Sequence, residues 1–198
     1  MKILISLLTL LLSTAVFSQS AESVLASLQN KFDSITDLTS DIAQKNSGQS
    51  SLTGKMYFKK ENNIRLEVGN QTIVADGKTS WNYNKKNKKV IISDYDEAGS
   101  GLLSINYLVY QYPSECDLSL STEGSSQILN LKPKSKKNNL GEVKLFINKE
   151  NLIDKAMISN PGSGTMEVSF SNYRLNQNLS DSKFSFTTSE GTTVVDLR

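Results

Sequence analysis

From Leu38 to Leu197 the chain runs in short segments of two-residue period, cut at brief intervals by turn residues. Nothing else in the sequence limits the fold so strongly. Leu38, Ser40 and Ile42 alternate with polar neighbours, Met56-Tyr57-Phe58 begins a second run, and Ile64, Leu66 and Val68 alternate with Arg65 and Glu67. The stretch IVADGKTSWNYN (Ile73 to Asn84) and then KKVIISD follow. Further runs lie near Leu118–Thr122, Ile128–Lys132, Val143–Asn148, Leu152–Ser159, Met166–Leu175, Phe184–Thr187 and Thr193–Leu197. Ten or so short strands at this spacing predict a mainly β fold with a few helices, its antiparallel sheet strongly curved or nearly closed. In the IVADGKTSWNYN stretch, Asp76-Gly77 is a hairpin signal because glycine enters positive φ without steric cost. The second strand then carries Trp81 and Tyr83 on one face. That face is expected to turn inward beside Ile64 and Leu66.

Two segments break the period. Val24, Leu25, Leu28, Phe32 and Ile35 recur at helical spacing, which predicts a helix from Ala21 to Ser34 with one face against a sheet. GLLSINYLVYQY, from Gly101 to Tyr112, holds Leu102, Leu103, Ile105, Leu108 and Val109 and reads as a short apolar helix. It is too short to span a membrane and long enough to cover the mouth of a barrel.

The N-terminus reads MKILISLLTLLLSTAVFSQS. Lys2 is a positive n-region, Ile3 to Leu12 an apolar h-region, and Val16-Phe17-Ser18 a cleavage site, the pattern of an export signal cut after Ser18. The expected organisation is a signal peptide over 1–18 and one domain over 19–198. With no cysteine near the cleavage site, no lipid anchor is expected, and the product should be soluble and exported.

The chemistry of the side chains excludes more than it suggests. The chain contains no histidine, so the commonest general base and transition-metal ligand are missing. Its single cysteine, Cys116, cannot form an intramolecular disulfide and reads as a small buried apolar residue. Asp94, Asp96 and Glu97 open like a calcium loop, but Ala98 and Ile105 stand where the fifth and twelfth ligands belong. No catalytic set, metal site or cofactor is expected, and the chain is not read as an enzyme. Without Lys2 the balance is 21 basic to 20 acidic residues, which gives no reason to expect nucleic acid as a partner. The runs Lys85, Lys86, Lys88, Lys89 and Lys134, Lys136, Lys137 fall at turns and read as solvated, edge-blunting charge, with docking to an acidic partner or to anionic headgroups as the alternative. What remains is an exported β fold whose leftover apolar residues imply a cavity for an apolar ligand.

The hairpin IVADGKTSWNYN resembles the signature hairpin of the outer-membrane lipoprotein carrier (LolA) family: a strand, Asp-Gly-Lys, then a strand with Trp and Tyr. LTSDIAQ (Leu38 to Gln44) is similar to the segment after that family's first helix. LTGKMYFKKENNIRLEV is similar to its Gly-x-Leu-x-x-Lys-Arg-Pro stretch and the aromatic-x-Trp strand that follows. LNLKPK (Leu129 to Lys134) and KFSFTTSEGTTVVD resemble its Leu-x-Pro-Lys and C-terminal segments. The order is the family's over nearly the whole chain after the signal. The chain departs at Lys60-Glu61 for Arg-Pro, Ile64-Arg65-Leu66 for the aromatic-x-Trp strand, and Thr188-Ser189 for Pro-Pro.

The resemblance implies an incomplete, strongly curved antiparallel half-barrel closed by a helical lid. It implies a monomeric carrier that takes acylated lipoproteins from an inner-membrane lipoprotein-releasing transporter and delivers them to an outer-membrane receptor. The alternative is an exported β-scaffold of the cell envelope that binds a lipid or binds or senses a partner. The expected acyl cavity is lined by Met56, Phe58, Ile64, Leu66, Ile73, Trp81, Tyr83 and Phe170. The expected lid is Leu102, Leu103, Ile105 and Leu108, with Gly99 and Gly101 as hinges. Lys60, in place of the family's arginine, is expected to control the lid and transfer.

Overall fold

Ser20 starts the first helix by accepting a hydrogen bond from the Ser23 amide at 3.2 Å, an N-cap that satisfies a donor with no partner inside the helix. The helix that follows, α1 (Ala21–Asp33), buries Val24, Leu28 and Phe32 on one side. The computed structural model describes residues 19–48, 50–96, 104–124, 126–135, 141–160 and 164–198. The signal segment, the expected hinges Gly99 and Gly101, and Leu102 and Leu103 lie outside the described residues.

The period-two runs form β1 (Asp37–Asn46), β2 (Leu52–Lys59), β3 (Asn63–Val68), β4 (Gln71–Asp76), β5 (Thr79–Asn84), β6 (Lys89–Asp94), β7 (Cys116–Glu123), β8 (Ser126–Pro133), β9 (Val143–Ile147), β10 (Ile153–Asn160), β11 (Gly164–Leu175) and β12 (Thr193–Asp196). They make one sheet in the order β12-β6-β5-β4-β3-β2-β1-β11-β10-β9-β8-β7, with β12 and β7 at its free edges. The sheet is therefore an open half-barrel. Its pairs are antiparallel except β12 against β6, which is parallel.

One apolar cluster fills the concave side. Leu38 and Ile42, Met56 and Phe58, Ile64 and Leu66, Leu129 and Leu131, and Ala156 and Ile158 meet α1 residues there. The Asp76-Gly77 turn is as the sequence predicts. Gly77 has φ +81° and the Asp76 carboxylate accepts from the amides of Lys78 and Thr79 at 3.0 and 2.8 Å. A Cβ on Gly77 would lie 2.4 Å from the Glu61 carbonyl oxygen, so the neighbouring β2–β3 turn also requires glycine.

Phe184–Thr187, expected as a strand, is not one. Asp181–Phe184 is a turn of 3₁₀-helix, and residues 176–192 cross the convex face of the sheet as a strap. A segment lying across strands cannot share their ladder. It is held instead by its side chains. Phe184 is buried, Phe186 packs on Tyr83 with ring centroids 5.3 Å apart, and the Lys183 ammonium sits 4.3 Å from the centre of the Tyr57 ring. The buried Asp37 carboxylate accepts from the amides of Gln177, Asn178 and Leu179 at 2.8, 3.0 and 3.4 Å.

Candidate functional site

The expected apolar helix is present as a helical segment over 105–114. Its middle, Tyr107–Gln111, is π-helical, and it ends in Tyr112–Ser114. Buried Ser104 caps it, accepting from the Tyr107 amide at 3.0 Å. Ile105, Leu108 and Val109 point into the apolar cluster, so the segment roofs the concave side. Leu108 and Ile105 meet Phe32, Leu38, Met56, Ile153, Ala156, Phe170 and Tyr173 around a void of about 20 Å³. That is little more than the room one water needs.

A second, more open cleft of about 260 Å³ adjoins this void and shares Phe32 and Ile105 with it. Phe58, Asp33, Lys60, Glu61, Asn62, Asn106 and Tyr110 complete its walls. It opens to solvent where the end of α1, the β2–β3 turn and the roof converge, and forms a mouth beside the void.

A few polar contacts hold the roof. The Tyr110 hydroxyl donates to the Asp33 carboxylate at 2.6 Å and lies 3.3 Å from the Gln29 carbonyl. The Gln29 side-chain amide donates to the Val109 carbonyl at 3.0 Å. The Tyr112 hydroxyl donates to the Gly141 carbonyl. Lys60 donates to the Asp33 main-chain carbonyl at 2.7 Å, placing a cation at the negative end of α1. The lysine thus grips α1, and α1 grips the roof.

The tyrosines around the interior are shielded from solvent. Burial pushes the hydroxyls of Tyr107, Tyr110, Tyr112 and Tyr173 upward, helped at Tyr110 by the hydrogen bond to Asp33. Burial also raises the Cys116 thiol, which keeps it protonated and unreactive. The Tyr173 hydroxyl donates to the Ile153 carbonyl at 2.6 Å, leaving its ring to the void.

The expected lining residues divide between the two faces. Met56, Phe58, Ile64 and Leu66 are buried on the concave side, and Ile73 and Phe170 pack against the same cluster. Of these, Met56 and Phe170 border the void and Phe58 the mouth. Trp81 and Tyr83 do not join them. Trp81 pairs with Val74 and Tyr83 with Thr72, whereas Ile73, the partner of Leu66, pairs with Asn82. Paired residues share a face and neighbours along a strand do not. The two aromatics therefore lie on the convex face, with Tyr83 against the strap. Phe32, Leu38, Ile153, Ala156 and Tyr173 border the void without having been singled out. The helical spacing of α1 signalled Phe32, and the alternation of β1 signalled Leu38.

A family model described as outer membrane lipoprotein carrier protein LolA matches residues 33–187. An outer-membrane lipoprotein carrier protein of Legionella pneumophila (strain Lens) is 28% identical over 198 residues, covering 96% of both chains. Among solved structures, an uncharacterized conserved protein from Thermus thermophilus superposes with a TM-score of 0.61 at 14% identity, over 89% of this chain and 98% of that one. A chain of the Pseudomonas aeruginosa MucA/MucB complex gives a TM-score of 0.51 at 15% identity, over 84% of this chain and 61% of that one. At these identities the two structures speak to the fold alone.

Proposed function

The chain belongs to the LolA family of outer membrane lipoprotein carriers, and from that premise we propose that it is a periplasmic carrier. It shields the acyl chains of lipoproteins in its apolar interior and carries them from an inner-membrane releasing transporter to an outer-membrane receptor. The observation that carries this reading is the roofed concave side: a closely packed, apolar interior under a helical segment tied down by a handful of hydrogen bonds.

Each CH₂ exposed to water costs about 0.8 kcal/mol, so an acyl chain of roughly 16 carbons cannot cross the periplasm bare. A void of about 20 Å³ cannot hold such a chain. Loading therefore displaces the roof and lets the chain replace Ile105 and Leu108 against Met56, Phe170 and Tyr173. The same exchange in reverse releases the cargo. Lys60 restrains this motion through α1.

The test uses the mature protein, a triacylated lipopeptide and the same peptide without acyl groups. Calorimetry and native mass spectrometry should show one acylated ligand bound and the bare peptide unbound. Equal binding of both peptides would favour a protein-binding scaffold, and no binding of the acylated one would end the carrier reading.

A further inference from the structure

Resting on the carrier reading, we propose that the mouth cleft is a second, polar subsite that binds the uncharged carbonyl oxygens where acyl chains join their head, with Lys60 as the donor.

The cleft and the void share Phe32 and Ile105 as walls, so a chain that displaces Ile105 from the void opens it toward the cleft. Its volume of about 260 Å³ exceeds that of the void behind it by an order of magnitude. The joint of a lipid is polar, and ester and amide carbonyls buried without donors are costly. A cleft that receives this joint needs donors.

An ammonium has three donors. Among the described residues Lys60 gives one to the Asp33 carbonyl at 2.7 Å and has no ion-pair partner within 4 Å, while its side chain borders the cleft. The side chain is exposed, so its other two donors are open to solvent and to a ligand that enters the cleft.

Charge narrows the ligand. The ionisable groups bordering the cleft besides Tyr110 are Lys60, Asp33 and Glu61, one cation against two carboxylates. Tyr110 already donates to the Asp33 carboxylate, and Glu61 is exposed on the turn. A phosphate would meet net negative charge there. A neutral carbonyl can accept from Lys60 without that repulsion.

Three ligands separate the possibilities, each titrated against the wild type, Lys60→Met and Lys60→Arg. The first is a dansyl-labelled triacylated lipopeptide, whose joint offers ester and amide carbonyls. The second is phosphatidylglycerol, which adds a phosphate. The third is diphenylhexatriene, a fluorescent hydrocarbon with no hydrogen-bonding atom, which reports on the interior and roof alone. Lys60→Met should weaken the lipopeptide about tenfold, the scale of one charge-assisted hydrogen bond. Any change at diphenylhexatriene reports the roof that Lys60 restrains, so the tenfold loss is read relative to it, and Lys60→Arg should restore most of that loss. Phosphatidylglycerol should bind more weakly than the lipopeptide in every form. Equal losses for lipopeptide and hydrocarbon would show that Lys60 acts only on the roof and would overturn the subsite. Tighter binding of phosphatidylglycerol, lost in Lys60→Met, would overturn the choice of a neutral carbonyl. Wild type that binds hydrocarbon and lipopeptide with no dependence on Lys60 leaves the carrier reading standing without the subsite. Wild type that binds neither removes both.

Discussion

The Tyr110 hydroxyl donates to the Asp33 carboxylate at 2.6 Å, joining the roof of the half-barrel to the last residue of α1. The Gln29 contact to the Val109 carbonyl lies one turn back along the same helix. The roof and α1 are therefore tied to each other, while Lys60 ties α1 to the sheet through Asp33. Tyr110→Phe keeps the ring and removes the hydroxyl. The freed Asp33 carboxylate can take water instead, so the loss is at the low end for a hydrogen bond, about 1 kcal/mol. Amides of 107–112 should exchange with solvent about fivefold faster, with little change in the strands. Unchanged exchange in this segment would mean that the apolar contacts alone hold the roof.

Trp81 is the only tryptophan, and its place on the convex face makes it a negative control. Its emission should stay constant when acylated peptide binds. Trp81→Phe combined with Phe170→Trp moves the reporter to the border of the void. In that variant the same peptide should shift or quench the emission and the bare peptide should not. A response from Trp81 in the native chain would require binding on the strap side.

The sequence made the sheet legible because most strands bury one face and so alternate. It made the side of Trp81 hard to read because β4 is covered on both faces. Thr72, Val74 and Ala75 are all buried, with the strap outside and the core inside, so the run TIVA shows no alternation from which to count. The missing signal lay in the turns. Gly69-Asn70 and Gly77-Lys78 are both two-residue loops, and counting outward from them sets Leu66 against Ile73 and Val74 against Trp81. The strap mimics a strand for a related reason. Phe184 and Phe186 both face the sheet, as residues two apart in a strand would, yet no partner strand runs beside them. The mouth could not be read at all, since it joins α1, a turn and the roof from distant parts of the sequence.

The convex face also carries an acid-sensitive contact. Asn172 donates to Asp41 at 2.8 Å and Lys55 at 3.0 Å, and together they hold the Asp41 carboxyl below its ordinary 3.8. A carboxyl lowered in the folded state stabilises the fold above its unfolded pKa and stops doing so as pH falls through the folded value. The contribution is thus whole at neutral pH and lost below 3.8. Asp196, which Arg198 lowers to about 2, loses its contribution in the same acid range, so the informative quantity is a difference between variants. Thermal melting from about pH 6 to about pH 2 should show a shallower acid fall for Asp41→Asn than for the wild type. Parallel curves would mean that Asp41 is equally protonatable folded and unfolded. The group is solvent-exposed, so the effect is small.

Asp37 anchors the start of the strap. It is 2% exposed, and its two oxygens take the amides of Gln177, Asn178 and Leu179 as the chain leaves β11 and turns across the convex face. Those amides face the sheet at a point where no strand can accept from them. Asp37→Ala takes the acceptor from three part-buried amide bonds, two of them on exposed residues that can turn to water, at a cost of roughly 2 kcal/mol, about 5 °C for a domain of this size. The loss should spread beyond the site. The strap carries Phe184, which is 1% exposed, over β3 and β4, and then delivers β12 to the edge of β6. Once its first anchor is gone, residues 176–192 should become the preferred target of limited proteolysis, and amides of β6 should exchange faster as β12 loosens. Asp37→Asn keeps one good acceptor and should fall between the wild type and Asp37→Ala in both measurements. A melting temperature lowered as expected but with protease cleavage elsewhere would assign Asp37 to the start of β1 alone. Cleavage within 176–192, graded from the wild type through Asp37→Asn to Asp37→Ala, assigns it to the strap.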